Sequence, residues 1–269
     1  MKIILNKNKL IKLIIKEKNL GFVPTMGAIH KGHCSLVKKS NSQCDKTIVS
    51  IFINKPQFNN QTDFKNYPRI LGNDIKKLKS LNIDYLYIPN TKQIYPNGTN
   101  KKIKINSFAK KLCGKFRPGH FMAVVDVIDR FVKIIKPKRI YLGEKDMQQL
   151  KIIEDYIKKN HKEINVVPCR TIREKNGLPY SSRNINLLKN EKILASKVCK
   201  LIKLKKRKII KNRNKVNFIK EKIFNFGVNK IDYIKLININ KIIKPFYKKN
   251  KYRVFIAFYV GKTRLIDNI

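Results

Sequence analysis

His30 and His33 stand three residues apart in the stretch Gly21-Phe22-Val23-Pro24-Thr25-Met26-Gly27-Ala28-Ile29-His30-Lys31-Gly32-His33, and they are two of only four histidines in the chain. An apolar segment runs there through a glycine-bearing turn into the start of a helix. Unpaired backbone N–H groups and the positive end of a helix dipole meet an anion at such a place, and glycine lets the backbone come close. Two imidazoles at this spacing lie on one side of the first helical turn, and each can donate a hydrogen bond to a phosphate oxygen. The stretch suits a nucleotide phosphate, while the same histidines also fit as turn and helix-cap residues.

Four other segments place polar groups after apolar runs. Asn54-Lys55-Pro56-Gln57-Phe58 carries carboxamides, which both donate and accept, as a ligand bearing hydroxyls and a carboxylate requires. Arg117-Pro118-Gly119-His120-Phe121 is a stiff turn with a cation and an imidazole, read either as a closing loop or as an ordinary Pro-Gly turn. Gly143-Glu144-Lys145-Asp146-Met147-Gln148-Gln149 again passes from a strand into a helix. There Lys145 can neutralise phosphate charge, Asp146 can hold a metal or a ribose, and Gln149 follows Lys145 by one helical turn on the same face. Ser181-Ser182-Arg183-Asn184 joins two hydroxyls to a guanidinium, a clamp for a polyphosphate. With only 17 acidic residues in the chain, a carboxylate inside a motif is informative, and Asp74 and Asp146 stand out. Gly261-Lys262-Thr263 has the ending of a P-loop, but Ile256 occupies the place of its first glycine and no helix pattern follows, so it is set aside.

The elements that must carry these groups are readable from periodicity. Residues 1–18 have an amphipathic helical pattern, and 20–24 that of a buried strand. A helix is expected over 32–42, and the β-branched run 47–53 has the character of a parallel strand covered on both faces. Helices are expected over 74–81, 123–135 and 148–160, and strands over 85–88, 139–142 and 164–168. This alternation predicts an α/β protein with a Rossmann-like, doubly wound parallel sheet spanning residues 1–171. Beyond it, 187–211 reads as a helical pair or one long basic helix, and 233–239 and 252–259 as antiparallel strands of a smaller α+β domain, residues 172–269.

Composition narrows the class. A chain of 269 residues with 42% hydrophobic residues can bury a full core. No apolar run is long enough for a membrane span, and lysines interrupt the first 20 residues too often for a signal-peptide core, which points to the cytoplasm. Five cysteines without a C-x-x-C pair fit reduced thiols and disfavour zinc. The net charge of +45 would suit a polyanion. Lysines are nevertheless dispersed along the whole chain with Ile and Asn, as AT-rich codon drift produces, and only 200–214 is concentrated. A nucleic-acid partner is therefore not expected.

Taken in order, PTMGAIHKGHCSL, VSIFINKPQF, DFKNYPR, FRPGH, GEKDMQQL, Ile172-Arg173-Glu174 with GLPYSSRN, and GKTRLIDN resemble the pantoate–β-alanine ligase family, of the His-x-Gly-His nucleotidyltransferase superfamily. The resemblance spans residues 20–269. It implies an ATP-dependent enzyme that activates pantoate as an adenylate and transfers it to β-alanine, with Mg²⁺, in a homodimer whose smaller C-terminal domain acts as a lid. By position it implies an ATP site of Met26, Gly27, Ala28, Ile29, His30, Lys31, Gly32, His33, Gly143, Glu144, Lys145, Asp146, Ile172, Tyr180, Ser181, Ser182 and Arg183. His30, His33, Lys145 and Arg183 would be catalytic, Gln57 and Gln149 would bind pantoate with Gln57 also near β-alanine, and Asp74 would lie on the magnesium side. The chain departs from the family pattern at Lys55-Pro56, where Pro-x is usual, at Tyr180, where Met or Leu is usual, and at Gly72-Asn73 before Asp74.

Overall fold

The computed structural model, which describes residues 1–269, begins with strand β1 (Lys2–Ile4) and helix α1 (Lys7–Ile14). A single helix over residues 1–18 is thereby corrected. The Asn6 side chain accepts from the Lys9 N–H and starts α1 there, and the residues before it pair as a strand with Tyr85–Tyr87. The chain continues through β2 (Leu20–Thr25), α2 (Lys31–Asn41), β3 (Lys46–Ile51), the short α3 (Gln61–Lys65), α4 (Leu71–Lys79) and β4 (Tyr85–Tyr87). Next come two single-turn helices, α5 (Thr91–Ile94) and α6 (Cys113–Phe116), then α7 (His120–Ile135), β5 (Arg139–Gly143), α8 (Met147–Asn160) and β6 (Asn165–Cys169). The helix expected over 74–81 starts earlier, at Leu71, and takes Gly72 and Asn73 into its first turn.

All pairings among β1–β6 are parallel, in the order β1-β4-β3-β2-β5-β6. Successive side chains on a strand point to opposite faces. Val23, Val49 and Leu86 therefore pack with Leu36 and Val37 of α2 and Leu78 of α4, while Phe22 and Tyr87 meet Phe131 of α7 at ring-centroid distances of 5.5 and 6.2 Å. Both faces are covered, which is why β2 and β3 are buried almost without interruption. The strand order reverses at β2, which lies between β3 and β5. Ligands of open α/β sheets bind beyond the carboxyl ends of the strands at such a point. The β2–β5 pairing stops at Phe22 with Ile140, short of Pro24, a residue that cannot donate to a ladder, so the two strands part where the histidine stretch begins.

These elements form one compact unit, Met1–Glu144 with Gln148–Arg170; Lys145–Met147 with Thr171–Ile269 form a second. The second contains one long helix, α9 (Lys189–Lys211), then α10 (Lys215–Asn225), β7 (Lys230–Asn238), β8 (Tyr252–Val260) and β9 (Thr263–Asn268). Glu191 Oε2 accepts from the Leu188 N–H and closes the first turn of α9. β7, β8 and β9 are antiparallel, and their inner face, with Ile234, Val254, Ile256 and Phe258, forms a core with Ala195, Val198 and Ile202 of α9 and Ile219 and Ile223 of α10. Helix α10 and strand β9 are additions to the elements expected from sequence. No helix is long and apolar enough to cross a membrane.

Candidate active site

His30 is the N-cap of α2, so the turn leaving β2 delivers both histidines to a helix N-terminus. Their rings stack with centroids 3.9 Å apart and planes 20° apart. The backbone before them runs through the left-handed region, freely at Gly27 (φ +81°) and with strain at the non-glycine Ala28 (φ +50°). Asp74 explains how that shape is held. Its Oδ2 accepts from the Ala28 N–H at 2.8 Å and its Oδ1 from the Ile29 N–H at 2.7 Å. A Cβ at position 27 would approach Asp74 Oδ2 to 3.0 Å, so Gly27 serves both the left-handed conformation and the carboxylate. Three residues on, on the same face of α4, Lys77 Nζ donates to the Ile29 carbonyl at 2.7 Å. Thr25 completes the turn, donating through Oγ1 to the Ser50 carbonyl at 2.7 Å and accepting from the Gly27 N–H at 3.2 Å.

Asp74, which the resemblance places on the magnesium side, is held here by the backbone of the histidine turn. The residue is 1% exposed, and each of its oxygens already faces a backbone N–H. No group of three or more His, Cys, Asp or Glu side chains is disposed to hold a metal ion.

Gln57 joins the histidine turn through its side chain, with Nε2 donating to Met26 Sδ at 3.1 Å and Oε1 accepting from Asn54 Nδ2 at 3.1 Å. Asn54 is itself 1% exposed; its Nδ2 also donates to the Ala123 carbonyl at 3.2 Å, and its Oδ1 accepts from the Tyr95 hydroxyl at 2.7 Å. Burial, chiefly, holds the Tyr95 phenol well above the usual tyrosine range, so it remains a donor. The Arg117–His120 turn grips the same segment from its backbone. His120 Nδ1 lies 2.8 Å from the Gln57 carbonyl, and Arg117 Nη2 donates to that carbonyl at 3.1 Å. Arg117 Nη1 lies 3.1 Å from His120 Nε2. Guanidinium has no acceptor, so Nε2 accepts there and the ring proton sits on Nδ1, donating to Gln57. The structure thus brings Met26, Gln57, Arg117 and His120 together. Gln149 is half-buried in the first turn of α8, and its neighbour Gln148 is buried, donating to the carbonyls of Phe108 and Lys111.

The remaining candidates are described within the second unit. Lys145 Nζ lies 3.2 Å from Asp146 Oδ1, with the lysine the more buried of the two. The Arg173–Pro179 bridge and the bond from the Tyr180 N–H to the Ile172 carbonyl, at 3.1 Å, make residues 172–180 a hairpin-like loop that leads into Ser181. Ser181 caps the following turn, its Oγ accepting from the Arg183 N–H at 3.4 Å, and Ser182 is buried in that turn. Sequence reasoning missed Asn54 as a buried anchor and Asp74 as the acceptor for the Ala28 and Ile29 N–H groups. The first could be suspected from the amide pair Asn54–Gln57; the second had no local signal.

A doubly wound parallel sheet whose strand at the switch point ends in a histidine-bearing, N–H-rich turn defines a Rossmann-like enzyme of the His-x-Gly-His nucleotide-handling class. Comparison with known proteins gives the particular family. The family model described as pantoate-beta-alanine ligase matches residues 2–269. The pantothenate synthetase of Pseudothermotoga lettingae is 38% identical over 265 residues, covering 97% of this chain and 94% of the relative. The pantoate-beta-alanine ligase of Francisella tularensis, solved in complex with "Beta-gamma ATP" and beta-alanine, superposes with a TM-score of 0.85 at 38% identity, covering 100% of this chain and 97% of that one. The Thermus thermophilus enzyme gives a TM-score of 0.90 at 28% identity, with coverage of 100% and 99%. The chain belongs to the pantoate-beta-alanine ligase family, whose activity serves pantothenate biosynthesis.

Proposed function

We propose that the chain condenses (R)-pantoate with β-alanine in two steps on ATP. A free carboxylate is a poor acyl donor, so one pantoate carboxylate oxygen attacks the α-phosphorus, the bond to the bridging oxygen breaks, and pyrophosphate leaves. The amine of β-alanine then attacks the carbonyl carbon of pantoyl adenylate, loses a proton, and expels AMP to form the amide. The observation that carries this reading is the stacked pair His30 and His33 at the α2 N-terminus, on a turn whose shape Asp74 and Lys77 hold.

The attacking carboxylate is already ionised, so the first step needs no protein base. Charge accumulates on phosphate oxygens, and catalysis rests on fixed donors placed where that charge develops. We assign His30, His33, Lys145 and Arg183 to this task, with the backbone of residues 26–33 and 143–146, Ile172, and Tyr180–Ser182 completing the ATP site. Gln57 and Gln149 are assigned to pantoate, whose hydroxyls and carboxylate match an amide's paired donors and acceptors. The Arg117–His120 grip on the Gln57 backbone fixes where the side chain starts and the Asn54 bond to its Oε1 limits its rotamers, which supports that role. Mg²⁺ enters with the ATP phosphates as part of the substrate. Residues 1–171 take the nucleotide and pantoate role and residues 172–269 that of the smaller, lid-like domain. The protein is assigned to the cytoplasm as a homodimer. AMP release tests the function: it is expected only when pantoate and β-alanine are both supplied with ATP, and AMP formed at the same rate without pantoate contradicts it.

A further inference from the structure

The motif Gly261–Asn268 has no part in the chemistry assigned above, yet it ends in two of the most buried polar residues of the second unit. Asp267 is 3% and Asn268 2% exposed. Both Asp267 oxygens take the Arg173 guanidinium, at 2.7 Å from Nη1 and 2.8 Å from Nη2, a bidentate pair. Asp267 Oδ1 also accepts from the Asn268 N–H at 2.7 Å. The Asn268 carboxamide is then used at both ends: Oδ1 accepts from Arg253 Nη1 at 2.7 Å, and Nδ2 donates to the Lys145 carbonyl at 2.8 Å. Arg173 Nη1 further donates to the Gly177 carbonyl at 3.1 Å, on the loop that leads to Ser181.

We infer that Asp267 and Asn268 are positioning residues for the ligase reaction, fixing the backbone from which Lys145 reaches the phosphates. Lysine has a long, flexible side chain, so the reach of its ammonium depends on where its Cα is held. Residues 144–146 form a single tight turn with little structure of its own, and the bond from Asn268 ties the middle of that turn to the sheet β7–β8–β9. The Arg173–Asp267 pair sets the orientation of Asn268 and, through Gly177, steadies the approach to Ser181–Arg183 as well. One ion pair therefore holds the roots of both phosphate-binding segments of this unit. The inference rests on the reading of Lys145 as a phosphate ligand.

The test combines Asn268→Ala and Asn268→Asp with Lys145→Ala, alone and together, by steady-state kinetics and thermal unfolding. Asn268→Asp keeps the shape and turns the donor facing the Lys145 carbonyl into an acceptor, so it serves if the alanine variant does not fold. Each Asn268 variant is expected to lower kcat about ten- to a hundredfold, the scale of a small misplacement, with the KM for pantoate unchanged. Added to Lys145→Ala, either should cost nothing further, because the residue acts through Lys145. Arg264→Ala breaks another ion pair of the same sheet, Arg264 with the buried carboxylate of Asp232 at 2.8 Å, and is expected to lower Tm while leaving kcat near normal. Wild-type kcat in Asn268→Ala or Asn268→Asp, beside a crippled Lys145→Ala, overturns this inference alone. A multiplicative loss in the double variant also overturns it. Near-normal activity of Lys145→Ala overturns the assignment of Lys145 and the inference with it.

Discussion

The histidine turn of the first unit and the Lys145 turn of the second are each held by a buried carboxylate, but they use it differently. Asp74 binds two backbone N–H groups directly and so shapes the peptide that we assign to the nucleotide. Asp267 is neutralised by a guanidinium and meets the Lys145 turn indirectly, through Asn268, whose amide donates to the Lys145 carbonyl. A backbone site needs its φ and ψ angles fixed, and the strained Ala28 shows what that demands. A side-chain site needs only its root fixed. The first arrangement should fail together with local stability, and the second should lose rate while the fold survives.

His33 gives the sharpest contrast, because we assign its side chain to the chemistry and not to the support. His33→Ala is expected to lower kcat by about tenfold to a thousandfold, the range for losing one oxyanion-type donor, with little change in Tm. Near-normal turnover would remove His33 from the mechanism. Asp74→Asn comes next. The substituted amide presents a donor to a backbone N–H, and one buried N–H left unmade costs about 1–3 kcal/mol. Urea unfolding should show that loss together with a higher KM for ATP, whereas a stable variant with a normal KM would break the comparison between the two carboxylates.

The smallest effect concerns a carboxylate that bonds to neither turn. Asp129 on α7 accepts from Lys133 Nζ at 2.7 Å, Tyr156 Oη at 2.9 Å and His161 Nε2 at 2.8 Å. Burial alone would raise its pKa, but the hydrogen bonds from Lys133, His161 and Tyr156 outweigh burial and lower it from 3.8. A folded pKa below the unfolded one stabilises the protein above the unfolded value, and this is lost as pH falls through the folded value. Thermal unfolding followed from about pH 5 to about pH 3 should show this acid loss, diminished in Asp129→Asn. An unchanged acid limb in that variant would remove Asp129 as a contributor.

The central strands were legible because a parallel sheet covered on both faces leaves a continuous apolar record, as in Phe22-Val23 and Ile48-Val49. The turns that carry the candidate residues were legible too, since glycines and paired polar residues mark strand ends. What stayed hidden depends on partners distant in sequence. β1 is three residues long, and only its pairing with β4 makes it a strand. β9 carries Arg264 and Asp267 on buried or half-buried positions, so its pattern is not apolar until Asp232 and Arg173 are seen opposite them. Asp74 looks like an ordinary acidic residue in a first helical turn; its N–H partners lie 45 and 46 positions away.

The central claim is that a pantoate carboxylate is activated by adenylylation before β-alanine takes part. The most direct measurement is exchange of labelled pyrophosphate into ATP with β-alanine omitted. The account predicts exchange that requires pantoate and falls sharply in His33→Ala. Active protein that makes pantothenate but shows no pantoate-dependent exchange would contradict it.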